Sequence, residues 1–339
     1  MPQPRHTLTR FGAEIAWGTG LTHILRHALP VRGIILALER VLPEDPADFA
    51  PNATRQIKPD YLRAVVLRLR KLGYETVSLD EAMTRLDTDG AKPFVVVTFD
   101  GAYRDAARHA LPLLRQLRCP YAIYVPTAWA DGVGMIWWQV IEDIVATQSA
   151  IAVTYLGDTE YLPAGSLEEK RTAYAELHAR LSRMGEADRL AVVRELAEQY
   201  GHDTAEACRE LVLDWPELAT IASDPLCTMG SMTVTAGDLS QMAPPVIRNE
   251  IEQANHILAA QLGEPPRHLA YAGEVDARAT RIFAEAGLHS AVTRRTGPVT
   301  NAHRTERYAL PRVPLRGDWQ SRRLIDVLAA PGLLPLLGY

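Results

Sequence analysis

An acidic residue at the end of a long apolar run is the strongest candidate for catalysis in this sequence. Residues 92–99 read KPFVVVTF, and Asp100 and Gly101 follow directly. Continuous apolar character predicts a strand that is buried on both faces, as in a parallel sheet or barrel. Functional side chains in parallel α/β folds lie at the carboxyl ends of strands, so Asp100 is a candidate catalytic residue. The alternative is that its carboxylate only caps the helix that follows.

Other common patterns of catalytic or ligand-binding residues are absent from the sequence. It contains neither of the glycine-rich phosphate loops, G-x-G-x-x-G and G-x-x-x-x-G-K-[ST], and no G-x-S-x-G nucleophile motif. Cys119, Cys208 and Cys227 are widely separated and have no zinc-finger spacing, so we expect free thiols.

Composition and charge exclude several classes of partner. The 339 residues include 36 Lys and Arg against 41 Asp and Glu, a net charge of -5. Without a basic excess, we expect no binding to nucleic acid or to an anionic membrane surface. Residues 1–18 lack an apolar stretch of signal-peptide length, and the longest apolar runs are strand-sized. The sequence therefore predicts a cytoplasmic protein with no membrane span.

The elements that would position Asp100 alternate along the chain from residue 31 onward. Short apolar runs predict strands over residues 31–38, 76–79, 92–99, 121–125, 227–230, 269–271, 290–293 and 310–315. Helical spacing of apolar residues predicts helices over 61–72, 106–117, 245–262 and 277–286. Repeated strand-then-helix units indicate an α/β fold with a parallel sheet or barrel.

One segment interrupts this alternation. Residues 137–218 are mainly helical and charged in pattern, with a capping-box start at Ser166-Leu-Glu-Glu169 and a helix stop at Gly201. We interpret it as a helical insertion in a single domain that spans residues 1–339.

The order of the motifs resembles that of the polysaccharide deacetylases of carbohydrate esterase family four, the NodB-homology domain. Members of that family carry T-F-D-D-G-Y, A-T-x-F-V-P-T, G-S-H-[ST]-x-x-H-x-x-L, H-F-A-Y-P-x-G and L-P-R-[IV]. The corresponding segments here are residues 98–103 (TFDGAY), 121–127 (YAIYVPT), 230–239 (GSMTVTAGDL), 268–274 (HLAYAGE) and 310–313 (LPRV). The resemblance spans about residues 30–315 and implies a distorted (β/α) barrel.

The departures from the family pattern fall on its metal site. Asp100 matches the family's general base, but its metal-ligand Asp and two His correspond to Gly101, Met232 and Ala236. The family uses zinc or another divalent metal, which activates water and polarises the carbonyl. Gly and Ala offer no ligand atom, and the Met thioether suits copper(I) better than zinc. We therefore expect no metal cofactor at this site.

Five further residues are predicted to line the substrate pocket: Tyr103, Tyr271, Glu274, Arg312 and Glu39. Asp100, Glu39 and Glu274 together could hold a hard cation such as Mg²⁺ or Ca²⁺. The alternative is that the two glutamates are solvated or pair with Arg40 or Arg312.

Three functions follow as hypotheses. The first is a degenerate deacetylase-like protein of carbohydrate metabolism that binds a carbohydrate, with an N-acetylated oligosaccharide as one candidate. The second is an N-acyl-sugar deacetylase or amidohydrolase that uses Asp100 in a rearranged site. The third is a structural or interaction protein that uses the helical insertion as its contact surface.

Overall fold

A computed structural model describes residues 31–155, 158–321 and 325. Its strands are β1 (Val31–Leu38), β2 (Arg40–Val41), β3 (Gln56–Ile57), β4 (Glu75–Thr76), β5 (Phe94–Asp100), β6 (Tyr121–Val125), β7 (Ala150–Tyr155), β8 (Asp158–Pro163), β9 (Cys227–Ser231), β10 (His268–Ala270), β11 (Ser290–Thr296), β12 (Val299–Thr300) and β13 (Leu310–Pro314). Its α-helices are α1 (Pro59–Lys71), α2 (Leu79–Asp87), α3 (Arg104–His109), α4 (Leu111–Gln116), α5 (Thr127–Ala130), α6 (Trp137–Thr147), α7 (Leu167–Leu181), α8 (Glu186–Gln199), α9 (Thr204–Leu211), α10 (Trp215–Ala222), α11 (Pro244–Leu262) and α12 (Ala277–Glu285).

Seven of these strands form a closed parallel barrel, in the order β1-β13-β11-β10-β9-β6-β5. The barrel closes where β1 pairs in parallel with β5, from Gly33 opposite Phe94 to Leu38 opposite Phe99. Every residue of β5 is buried, as its continuous apolar sequence predicts. The predicted (β/α) barrel is therefore confirmed, and the carboxyl ends of its strands meet at one rim, which we call the barrel mouth.

The segment between α5 and β9 has two parts. Helices α9 and α10 pack into the large core that includes β5 and β6, whereas residues 137–200 have an apolar core of their own. Helices α6, α7 and α8 bury Ile144, Leu177 and Val193 there, together with Ile151 of β7. The capping box at Ser166 and Glu169 is confirmed, since both of its reciprocal hydrogen bonds are present. The segment is not wholly helical, because β7 and β8 form an antiparallel hairpin that helical spacing did not predict.

Two predicted elements are shortened or divided in the structure. The strand expected over 76–79 ends at Thr76, and Ser78 caps α2 by accepting a hydrogen bond from the Glu81 backbone N–H. The helix expected over 106–117 is divided into α3 and α4 at Ala110. Pro112 has no N–H to donate to the fourth preceding carbonyl, which explains the division.

Of the described residues, no helix is both long and apolar enough to cross a membrane. The cytoplasmic location stays a prediction, because residues 1–18, on which it rests, lie outside the described ranges. The three cysteines are free thiols as expected, with Cys119 and Cys208 buried.

Candidate functional site

A buried ion pair occupies the barrel mouth. Asp100 is the last residue of β5, and Arg312 lies in β13, which is separated from β5 by β1. The Arg312 guanidinium donates from Nη1 to Oδ1 of Asp100 at 2.6 Å and from Nη2 to Oδ2 at 2.7 Å. The side chains are 3% and 10% exposed. The helix-cap alternative for Asp100 is wrong, because Tyr103 is the N-terminal cap residue of α3.

The barrel wall fixes the orientation of the Arg312 side chain. Its Nε donates to the Thr293 carbonyl at 3.0 Å, and Nη1 also donates to Oγ1 of Thr98 at 3.3 Å. Burial lowers the pKa of Arg312, but the charge and hydrogen bonds of Asp100 outweigh it and raise the pKa above its usual value. Arg312 is therefore a permanent cation, and Asp100 is its counterion.

The ion pair faces a cavity of about 300 Å³, which we call the barrel-mouth cavity. Its lining consists of Ala37, Leu38, Glu39, Thr54, Arg55, Asp100, Thr293, Arg294, Arg312, Pro314, Leu315 and Arg316. Three of the predicted site residues, Asp100, Arg312 and Glu39, thus lie around one cavity.

Glu39 makes a different ion pair from the two that were considered. Both of its carboxylate oxygens accept from Nη1 of Arg55 at 2.8 Å. The Arg55 guanidinium carbon also lies 4.5 Å from the ring centroid of Trp138, a cation–π distance. Arg40 instead donates from Nε to Asp105 at 2.6 Å. The expected pairing of Glu39 with Arg40 or Arg312 is therefore wrong.

The structure places Tyr271 and Glu274 at a second, larger cavity of about 660 Å³. Tyr271 is almost fully buried and donates to the Tyr308 carbonyl at 2.9 Å. Burial raises its pKa to about 12. Thr293 and Arg294 line both cavities, so the two are neighbours.

Tyr103 belongs to a row of aromatic rings, in which Tyr103 and Trp129 are buried and Trp138 and Trp137 are half-buried. Its ring centroid lies 6.1 Å from that of Trp129, which lies 5.8 Å from Trp138. Trp138 in turn contacts Trp137 at 5.6 Å, so the row leads from the barrel into the core around α6. Its members anchor the insertion, and Tyr103, 3% exposed, presents little surface to a ligand.

Gly101 has a backbone that a side chain would strain. Its φ is +90°, in the left-handed region that favours glycine. A Cβ there would lie 2.9 Å from Cε2 of Tyr103 and 3.0 Å from Cζ3 of Trp129. A carboxylate at this position would need the aromatic row to move.

The other two positions that the resemblance assigns to metal ligands are apolar as well. Met232 is 7% exposed and packs in an apolar cluster within the barrel, and Ala236 packs against the same cluster. Nowhere in residues 31–155 and 158–321 do three His, Cys, Asp or Glu side chains gather closely enough to hold a metal ion. The hypothesis of a cation held by Asp100, Glu39 and Glu274 is therefore wrong, and these residues do not fit the family's divalent metal.

Sequence reasoning missed most of the lining of the barrel-mouth cavity, including the polar residues Thr293, Arg294 and Arg55. Thr293 and Arg294 follow the apolar residues of β11. Polar residues at the carboxyl end of a predicted parallel strand are a signal of a functional site, and this signal was present in the sequence. Arg55 lies in a short 3-10 helix between β2 and β3, where no sequence pattern marked it.

Comparison with solved structures shows the fold. The chain is similar to the deacetylase PplD of Streptococcus pyogenes in complex with acetate, with a TM-score of 0.57, 17% identity and coverage of 89% of this chain and 99% of that one. It is also similar to IcaB from Ammonifex degensii, with a TM-score of 0.54, 16% identity and coverage of 89% and 98%. A polysaccharide deacetylase from Bacillus cereus gives a TM-score of 0.53 at 13% identity, with coverage of 88% and 68%.

Comparison of sequences gives the family. No curated protein matches the chain. The family model described as polysaccharide deacetylase matches residues 87–291, which include β5, the whole insertion and the strands through β10. The chain therefore belongs to the polysaccharide deacetylase family.

Proposed function

We propose that this chain binds a carbohydrate at the barrel mouth, with N-acetylated oligosaccharide as the first candidate, and does not hydrolyse it. One observation carries the proposal: the carboxylate of Asp100 is bound by Arg312 through both of its oxygens. The ligand positions of the family beside it hold Gly101, Met232 and Ala236.

Hydrolysis of an amide needs an activated water. A divalent metal supplies one by lowering the pKa of bound water from ~15.7 to about 7. Without ligands for a metal, Asp100 would have to act alone as general base. A general base must lie within hydrogen-bond reach of the attacking water. Here Arg312 already occupies one acceptor site on each carboxylate oxygen of Asp100, and the positions beside it offer no ligands for a metal that would activate the water.

Binding of a sugar requires only a cavity with suitable polar groups, and the barrel mouth has both. The cavity of about 300 Å³ lies at the carboxyl ends of the barrel strands, where ligands of such folds bind. Its polar groups include the side chain of Thr54 and the carboxylate of Glu39. Sugar hydroxyls can donate to and accept from such groups.

Two measurements on the purified protein test the proposal. Calorimetric titration with the tetrasaccharide of N-acetylglucosamine is expected to give saturable binding. Acetate release from the same tetrasaccharide, with and without added zinc, is expected to stay at the level of buffer. Asp100→Asn is compared with Asp60→Asn, which changes an exposed aspartate on α1.

Two outcomes would overturn the proposal. Acetate release that Asp100→Asn abolishes and Asp60→Asn preserves would establish the amidohydrolase alternative. Absence of binding to the tetrasaccharide and to acidic glycans alike would remove the carbohydrate-binding function.

A further inference from the structure

The barrel-mouth cavity carries an excess of positive charge. Four arginines line it, namely Arg55, Arg294, Arg312 and Arg316. Only two acidic residues, Asp100 and Glu39, lie opposite them, which leaves a formal charge of +2 on the lining. The whole chain has a net charge of -5, so this local sign is opposite to that of the molecule.

Most of these cations have a counterion. Arg312 pairs with Asp100, and Arg55 pairs with Glu39. Arg316 pairs with Asp318, Nε to Oδ1 at 3.0 Å. Within the described parts of the chain, Arg294 alone among the four has no hydrogen bond or ion pair.

Arg294 stands at the junction of the two cavities. It follows Thr293 in β11, and Thr293 is buried whereas Arg294 is exposed. Because Arg294 and Thr293 line both cavities, a ligand that extends from the barrel mouth toward Glu274 must pass this guanidinium.

Arg55 adds donors to the lining of the same cavity. Its pair with Glu39 uses Nη1 only, and its Nε and Nη2 donate to no other described residue. The indole of Trp138 lies against the guanidinium, which limits its movement. A planar guanidinium held in one orientation is well suited to bind a carboxylate or phosphate.

We infer that the glycan bound here carries an anionic substituent, a carboxylate or a phosphate, which Arg294 binds. The inference rests on the proposed function and narrows its ligand class. An unpaired guanidinium would lose hydration when a neutral sugar covered it, whereas an anionic group would replace that hydration with a charge-assisted hydrogen bond. Complementary charge of this kind gives specificity.

The test compares two forms of one ligand. The first is the unsulfated tetrasaccharide of alternating glucuronate and N-acetylglucosamine, and the second is the same tetrasaccharide with its carboxyl groups reduced to alcohols. Titration calorimetry is expected to give about tenfold tighter binding for the acidic form. The preference is expected to weaken at high salt.

Three variants test whether Arg294 is the source of the preference for the acidic tetrasaccharide. Arg294→Gln is expected to bind both forms equally, and Arg294→Lys is expected to retain most of the preference. Arg281→Gln, which removes an exposed arginine on α12 that lines neither cavity, is expected to behave as the unchanged protein. A preference that survives in Arg294→Gln would overturn the assignment.

The remaining outcomes separate the inference from the function it rests on. Equal binding of the acidic and reduced tetrasaccharides would exclude a carboxylate as the anionic group while leaving carbohydrate binding intact. A second comparison, N-acetylglucosamine 1-phosphate against N-acetylglucosamine, distinguishes a phosphate from a carboxylate, and lack of preference in both comparisons would overturn the inference. If no form of any of these sugars binds, both the inference and the proposed function fail.

Discussion

The absence of a side chain at Gly101 matters both for the backbone turn after Asp100 and for the packing of the rings beside it. Its left-handed backbone allows the chain to turn directly after Asp100, and the rings of Tyr103 and Trp129 fill the space that a Cβ would take. Gly73, which follows α1, has nearly the same φ of +93°, but no heavy atom lies within 4 Å of the place that its Cβ would occupy. Substitutions at these two glycines therefore distinguish the cost of backbone strain from the cost of crowding against neighbouring side chains.

We predict that Gly101→Ala lowers the free energy of unfolding more than Gly73→Ala does. Both changes place a Cβ in the left-handed region, which costs roughly 1–2 kcal/mol. Only Gly101→Ala also overpacks the aromatic row, which adds about 1–3 kcal/mol. Urea denaturation of the two variants measures the difference, and equal losses would show that the aromatic rings yield freely.

For single residues, the sequence predicted where a residue lies in the fold better than which residue it pairs with. The place of Asp100 followed from the apolar run before it. Its bond to Arg312 joins residues 212 positions apart and depends on the closure of the barrel, which no local pattern reveals. The pair of Glu39 and Arg55 escaped prediction for a different reason, because Arg55 lies in an irregular connection.

Helix α7 carries a histidine whose protonation opposes the packing of the insertion. The His178 ring lies 4.9 Å from the ring centroid of Trp137 and 5.6 Å from that of Tyr174. Burial lowers the pKa of His178, and the nearby charge of Arg55 lowers it further. The folded state therefore favours the neutral ring.

We predict that acid destabilises the protein partly through His178. Because its folded pKa lies below the unfolded value of ~6.5, its contribution to stability is complete above that pH. The contribution is lost as the pH falls from about 6.5 through the folded pKa. His178→Gln should therefore show a smaller fall in Tm between about pH 7.5 and 5.

The control for this measurement is His256→Gln, an exposed histidine on α11. It should reproduce the pH dependence of the unchanged protein. If His178→Gln loses stability with acid as steeply as this control does, the packing of α7 is indifferent to the charge of His178.

Helices and strands that have a capping motif or a continuous apolar run were predictable from the sequence. The capping box of α7 and the apolar runs of β1, β5 and β6 gave bounds close to those in the structure. The hairpin of β7 and β8 was missed because helical residues surround it. The bulky apolar residues Ile151 and Val153 alternate there with the smaller Ala152 and the polar Thr154, which was a sequence signal of period two.

One asparagine, in the short 3-10 helix between β2 and β3, forms hydrogen bonds to both α6 and α7. The backbone N–H of Asn52 donates to Glu142 of α6 at 2.9 Å, and its Nδ2 donates to the Trp138 carbonyl at 2.9 Å. Its Oδ1 accepts from the Tyr174 hydroxyl of α7 at 2.8 Å. Three hydrogen bonds from one residue thus connect the two apolar cores.

We predict that Asn52→Ala lowers the free energy of unfolding by about 1–3 kcal/mol, because it removes two side-chain hydrogen bonds and leaves the Tyr174 hydroxyl without its acceptor. Asn301→Ala, at an exposed position after β12, should change it by less than about 0.5 kcal/mol. Chemical denaturation measures both, and amide exchange should rise in α6 and α7 of the first variant only. A loss in Asn52→Ala no larger than in the control would mean that the cores are held together by apolar contact alone.

The position of β13 in the barrel sets an order for folding during synthesis. This strand lies between β1 and β11, and it is the last of the seven barrel strands in the chain. Before this strand has left the ribosome, β11 and the carboxyl-terminal half of β1 each present an unpaired edge, which invites association with other chains. Arg312 arrives on the same strand. A nascent chain therefore carries Asp100 without its counterion, and the closing of the barrel and the pairing of Asp100 with Arg312 are a single late event.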